Sequence, residues 1–197
     1  DGTIKVSGKR AHLFTEKELK NFEYKVECKT TKGSNSGLYF HTKFQEEGWP
    51  AQGYEAQVNV THTDKIKTGS LYGVKNVEEV EVKDDEWYET YIKVVGRHIT
   101  IKINGKTTVD WEQPEDFKDK AFPGRKISSG SFAIQAHDPN SVVYFRNIRV
   151  KPFVTGEARH AGGGNTAYLE LILRLLQVNR AAETTPAPQA GSSLIRP

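Results

Sequence analysis

The chain has 197 residues, 36% of them hydrophobic, and carries 28 Lys and Arg against 25 Asp and Glu for a net charge of +3. That size suits one domain with a sizeable core, and the small, mixed charge excess argues against a nucleic-acid partner, which needs a concentrated basic patch. The single Cys28 excludes an internal disulfide and a Cys-based zinc site, and no stretch approaches the roughly 18 apolar residues of a membrane span.

From Asp1 to about Phe153 the pattern is β-structure. The chain opens at Asp1-Gly2 and contains no Met. We read it as a mature product or a fragment whose start lies upstream, with a secreted or periplasmic location as the expectation. Glu16–Asn21 suggests a short helical turn. Phe22–Cys28 alternates apolar and polar residues, the period of a half-buried strand. Cys28 falls on its apolar face and is expected to be buried. Glu78–Glu86, with Asp84-Asp85, reads as a solvated acidic rim. Tyr91–Val95 and His98–Ile103 flank a turn at Gly96-Arg97. Asn104-Gly105 then predicts a tight hairpin into Lys106–Val109, because both residues tolerate positive φ. Pro114–Lys120 suggests a second helical turn. Turn residues recur at about the 8–12-residue spacing of a sandwich or barrel.

Composition changes near Thr155. Gly162–Gly164 is a flexible break. Thr166–Arg180 predicts a helix, with Leu169, Ile172, Leu173 and Leu176 at helical spacing and Glu170 four residues before Arg174. Ala181–Pro197, rich in Ala, Thr, Pro and Ser, reads as disordered. The expected organisation is therefore a β-domain over 1–154, followed over 155–197 by a linker, a short helix (about 166–180) and a disordered tail. The tail reads first as an appendage. Its alternative is an amphipathic segment that docks on a partner or drives self-association.

Strand parity isolates a polar face. In Tyr54–Asn59, Glu55, Gln57 and Asn59 share one side, while Tyr54, Ala56 and Val58 face the core. In Phe132–His137, Gln135 and His137 oppose the apolar Phe132, Ile134 and Ala136. If both strands lie in one sheet, they line one groove. Carboxylates and amides there suit the hydroxyls of an oligosaccharide or glycoside, and Trp49, Tyr72 and Trp87 are candidate platforms for sugar rings. Arg146 shares a side with Tyr144 and Ile148, and neither side of that strand is cleanly apolar. Arg146 either reaches the ligand or pairs with a buried Glu such as Glu27. No cofactor is expected: there is no phosphate-cradling loop, and no Gly-x-Ser-x-Gly elbow marks a serine hydrolase. A divalent metal is permitted but not demanded. His41, His137 and Glu55 could converge on one, yet no metal motif is present.

A series of phrases in fixed order resembles a known family. They lie at Asn35–Gly37, Tyr54–Gln57, Thr68–Gly73, Glu86-Trp87, Asn104-Gly105, Gln135–His137 and Phe145–Val150. Together they look like the 3-keto-disaccharide hydrolase domain family, formerly a domain of unknown function. The resemblance covers about Asp1–Phe153. It implies an all-β fold, a concanavalin- or laminarinase-like jelly-roll sandwich of two antiparallel sheets. There are departures. The family's usual opening segment is absent, which would leave a sheet edge open to association. His41 stands in place of Arg, Asn59 in place of Asp and Tyr88 in place of Asn.

The resemblance implies a sugar oxidised at C3, whose ketone acidifies the C2 proton and permits β-elimination across C1–C2. Glu55 and His137 are the candidate base and acid, in either order. Arg146, Gln57 and Gln135 would hold oxygens, and Asn35 and Tyr72 would orient the ring. Three alternatives accompany this reading. One is a non-catalytic carbohydrate-binding module, which the residues at His41 and Asn59 favour. Another is a retaining glycosidase, which needs two carboxylates about 5–5.5 Å apart and lacks here the laminarinase-like Glu-x-Asp-x-x-Glu strand. The last is a structural role in assembly.

Overall fold

The computed structural model of the chain describes residues 2–153 and the strand 169–170. The strands are β1 (Ile4–Ser7), β2 (Ala11–Phe14), β3 (Phe22–Thr30), β4 (Asn35–Thr42), β5 (Tyr54–Asn59), β6 (Tyr88–Val95), β7 (His98–Ile103), β8 (Lys106–Glu112), β9 (Ser131–Ala136), β10 (Val142–Pro152) and β11 (Leu169–Glu170). They form two antiparallel sheets. One has seven strands in the order β1-β10-β3-β6-β7-β8, with β11 also on β10; the other has four in the order β2-β9-β4-β5.

Alternation explains the layering. Phe22, Tyr24, Val26 and Cys28 of β3, with Ile92, Val94, Ile99 and Ile101, face inward from the larger sheet. Leu38, Phe40, Tyr54, Ala56, Val58, Phe132 and Ile134 meet them from the smaller one. Phe132 joins the layers, with its ring centroid 4.7 Å from Phe22 and 4.8 Å from Tyr24. Cys28 is buried as expected, and its burial pushes the thiol up to about 12. The Asn104-Gly105 hairpin also forms, with φ of 47° and 81°.

The expected helical turns do not form, and no helix occurs among the described residues. Within Glu16–Asn21, Leu19 instead bridges Gly130 through a pair of backbone hydrogen bonds. Within Pro114–Lys120 one turn closes, from Phe117 N–H to the Pro114 carbonyl, and does not propagate. Leu169–Glu170, inside the predicted helix, is extended and pairs with Val150 and Arg149. β1 covers β10 only from Val142 to Phe145, which leaves the stretch beyond for β11 to pair with at Arg149 and Val150. The rest of the predicted helix, the linker and the tail lie outside the described residues, and so does the suggested self-association through them. No helix among the described residues is long and apolar enough to cross a membrane.

Candidate functional site

The outward face of the four-stranded sheet carries the polar row that parity predicted. Tyr39 lies opposite Glu55, and Gly37 opposite Gln57. On the other side of β4, Tyr39 pairs with Ala133, which places Gln135 on the same face. A cavity of about 200 Å³ opens over this floor. The 59–68 turn supplies Asp64, the segment before β5 supplies Trp49, and the segment before β9 supplies Arg125.

Glu55 is the centre of the floor. Its Oε2 accepts from the Tyr39 hydroxyl at 2.8 Å, and its Oε1 accepts from Gln135 Nε2 at 3.4 Å. Gln135 Nε2 also donates to the Tyr39 oxygen at 2.8 Å. The carboxylate lies flat across Gly37, where an added Cβ would stand 2.1 Å from Glu55 Oε1. Burial pushes the Glu55 carboxyl up to about 7, against the Tyr39 hydrogen bond and the Arg125 charge, which pull it down. Burial, then the Glu55 charge, raises the Tyr39 hydroxyl well above its ordinary range, so it stays a donor.

Three amides present oxygens with no partner: Asn35 Oδ1, Gln57 Oε1 and Gln135 Oε1. Their orientation is set by the nitrogens. Gln57 Nε2 donates to the Ile66 carbonyl at 3.2 Å. Gln135 Nε2 must face the Glu55 carboxylate. Asn35 Nδ2 donates to His62 Nδ1 at 3.3 Å, a nitrogen that also accepts from Asp64 N–H and is therefore unprotonated. All three residues line the cavity. A buried acceptor without a donor is costly, and these oxygens can accept hydrogen bonds from hydroxyl groups.

His137 sits at the rim. Its Nδ1 is 2.8 Å from Asp138 Oδ2, and Asp138 also accepts from Ser141 Oγ and Asn140 N–H. Burial opposes ionisation of Asp138, but the Ser141, His137 and Asn140 hydrogen bonds carry it down to about 2. The ionised partner assigns the proton to His137 Nδ1 and leaves Nε2 as the basic nitrogen. The Trp49 ring lies 5.2 Å from the His137 ring, with the Arg10 guanidinium 4.9 Å from its centroid.

Of the residues expected from the sequence, Glu55, His137, Asn35, Gln57, Tyr72 and Gln135 meet in the cavity. Tyr72 donates to Asp64 Oδ2 at 3.3 Å. Trp87 and Arg146 do not join them. Arg146 is on the outer face of the seven-stranded sheet, where its Nε holds Glu27 Oε2 at 2.6 Å and its guanidinium covers Trp87 at 4.0 Å. Of the two expectations for Arg146, the pair with Glu27 is the one that forms.

The His41, His137 and Glu55 convergence does not form either. His41 sits at a β-bulge with φ 55°, where its Nε2 meets the Lys20 carbonyl at 2.9 Å and its Nδ1 accepts from Ser128 N–H. His62, His137 and Asp138 instead bring ligand-type atoms within 4.8 Å of one another. In both histidines Nδ1 is already engaged, that of His62 by Asp64 N–H and that of His137 by Asp138. Asn59 is structural: its Nδ2 binds the Asp64 and Ile66 carbonyls and its Oδ1 accepts from His62 N–H, which shapes the turn.

Tyr39, Asp64, His62 and Arg125 were not anticipated. Tyr39 shares parity with Gly37, so its place could be read once β4 and β5 are paired. The other three sit on turns, where no period reports direction.

A two-sheet jelly roll with a cavity of amides and carboxylates on one face defines a carbohydrate-related domain. The 3-keto-alpha-glucoside-1,2-lyase-like domain model matches residues 1–151, and the chain belongs to that family. Two crystal structures of candidate glycosyl hydrolases from Parabacteroides distasonis ATCC 8503 are similar to it. One is 25% identical, over 78% of this chain and 82% of that one, with a TM-score of 0.68. The other is 26% identical, over 78% and 88%, with a TM-score of 0.65. The exoplasmic/lumenal domain of VIP36, bound to Ca²⁺ and Man3GlcNAc, shares the fold at 10% identity, over 90% and 87%, with a TM-score of 0.55. No curated protein matches the chain.

Proposed function

We propose that this chain cleaves the glycosidic bond of 3-keto-glycosides by β-elimination followed by hydration. The observation that carries the reading is Glu55. It is a carboxyl raised to about 7, in a cavity whose amide oxygens lack donors. A base poised near the working pH is well matched to a carbon acid.

Glu55 takes the C2 proton. The C–H electron pair forms the C2–C3 double bond while the C3 carbonyl electrons move onto oxygen. The enolate then collapses. C3=O re-forms, a C1–C2 double bond appears, and the C1–oxygen bond breaks toward the leaving sugar, which takes the Nε2 proton of a His137 that enters the cycle protonated on both nitrogens, with Nδ1–H on Asp138. Water adds in the second stage. His137 accepts its proton as the hydroxyl bonds to C1, and Glu55 returns its proton to C2. The sum is hydrolysis, with both residues restored. Asn35, Gln57 and Gln135 accept the sugar hydroxyls, and Tyr72 lines the wall beside Asp64.

The same unpartnered amide oxygens would serve a carbohydrate-binding module, so turnover must be measured. The purified protein is incubated with a 3-keto-disaccharide and with its unoxidised parent, with and without EDTA, and released sugar is followed. Cleavage of the keto form alone is expected, and Glu55→Gln should lower it by roughly 10²–10⁴-fold. Binding of both sugars with cleavage of neither would favour the module.

A further inference from the structure

The proposed elimination places a full negative charge on the C3 oxygen, and amide oxygens cannot stabilise it. We propose that Arg125 is the catalytic cation that receives the enolate oxygen. The inference rests on the reading of the site given above.

Arg125 reaches the cavity from the segment before β9, and its side chain is 5% exposed. Its guanidinium is held from two sides. Nη1 donates to Asp119 Oδ2 at 2.6 Å, and the group stacks 4.1 Å from the Phe122 ring centroid. Asp119 is itself fixed by the Ala121 and Phe122 N–H groups at 2.9 Å each. Those hydrogen bonds and Arg125 hold its carboxyl below the usual range despite burial. Nη1 is engaged by Asp119, and the fork retains further N–H donors on a residue that lines the cavity.

The spacing between Arg125 and Glu55 is also fixed. Gly124 bridges Gln52 in parallel register, and Gly53 N–H donates to the Gly124 carbonyl at 3.3 Å. An added Cβ on Gly124 would stand 2.1 Å from the Ala51 carbonyl oxygen, so this contact needs glycine. The residue before Arg125 is thus docked onto the strand entry that leads, two residues after Gly53, to Glu55. Base and cation face one cavity from a shared backbone contact. A preorganised donor at the site of developing charge is the arrangement that stabilises an enolate.

The test separates enolisation from departure of the leaving group. The protein is placed in D₂O with a 3-keto-1-deoxy sugar, which has no glycosidic bond to break, and exchange at C2 is followed by NMR. Wild-type protein should exchange the C2 proton. Arg125→Met should slow exchange and disaccharide cleavage by roughly 10²–10³-fold in kcat, with a smaller change in KM. Arg125→Lys, which keeps the charge beside Asp119, should recover part of the exchange rate. Circular dichroism checks each variant. If Arg125→Met fails to fold, Arg125→Lys and Asp119→Asn carry the test, both with lowered kcat. Exchange at the wild-type rate in the folded Arg125 variants overturns this inference alone. A wild-type protein that neither exchanges nor cleaves overturns the reading of the site and this inference with it.

Discussion

The Tyr39 hydroxyl stands 2.8 Å from Glu55 Oε2 and 2.8 Å from Gln135 Nε2, donating to the first and accepting from the second. The row crosses three adjacent strands, β5, β4 and β9, and Tyr39 is its middle member. Tyr39 is 7% exposed, so it is a positioning residue that acts through the carboxylate.

Tyr39→Phe should therefore change the pH dependence. The hydroxyl bonds to the charged form of Glu55 and opposes the effect of burial. Without it the Glu55 carboxyl rises further above about 7. The rising limb of kcat/KM against pH should move up by about one pH unit, which matches ~1.4 kcal/mol of lost charge-assisted hydrogen bonding. An unmoved limb would assign the base to another residue.

Gly37→Ala tests the floor itself. The new Cβ would meet Glu55 Oε1 at 2.1 Å, Cδ at 2.8 Å and Cγ at 2.9 Å, all atoms of one side chain. The carboxylate can swing aside, so the sheet should survive while the base loses its place. Turnover is expected to fall ~10²-fold or more, with a melting temperature close to wild type. Wild-type rates would show that the seat of Glu55 on Gly37 is not needed.

Much of the fold was legible because strand alternation reports burial directly. The Tyr54–Asn59 parity placed Glu55 and Gln57 together, and Asn104-Gly105 set a hairpin by its φ values alone. Parity failed where the ladder bulges. Asn147, at φ 50°, sits in the register shift between Arg146 and Arg149, so Phe145 and Val150 are both buried although their parity differs. That bulge is why neither side of β10 read as apolar. The His41 bulge likewise keeps that side chain from the convergence with His137 and Glu55 that the sequence permitted. Arg125 is placed by the Gly124–Gln52 contact between distant segments, and Asp64 by hydrogen bonds inside an irregular turn, neither of which strand period carries. Leu169 and Glu170 fit a helical period, but the open part of β10 offers them backbone partners.

Arg146→Ala and Trp87→Ala should leave kcat and KM unchanged. Both side chains lie on the sheet opposite the cavity. The Arg146–Glu27 pair is 38% and 25% exposed, so solvent screens it, and its loss should cost ~1 kcal/mol or less. Denaturant titration measures that cost. A fall in kcat/KM beyond about tenfold would mean that this face takes part in turnover.

His12 is buried opposite Gln135 at 2% exposure, with neither ring nitrogen hydrogen-bonded. It packs edge-on to Tyr39 and Trp49 at 5.5 and 5.8 Å. Burial, then the Arg10 and His137 charges, lowers it to about 4, so the folded protein keeps it neutral. The sign follows from linkage. As pH falls through 6.5 the unfolded chain binds a proton that the folded one refuses, so stability is lost down to about 4. His41, also lowered to about 4, acts in the same direction. Glu55 acts oppositely. Its folded form holds a proton below about 7 and the unfolded carboxyl only below 4.5, so it adds stability as pH falls between them. His12→Leu should remove one histidine contribution and two unpartnered nitrogens. The expected gain is ~1–2 kcal/mol at pH 7, and larger by about 2 kcal/mol at pH 5. Denaturant unfolding at both pH values measures it. A variant less stable than wild type at pH 7 would show that the imidazole has a partner in solution and belongs to the site beneath Trp49.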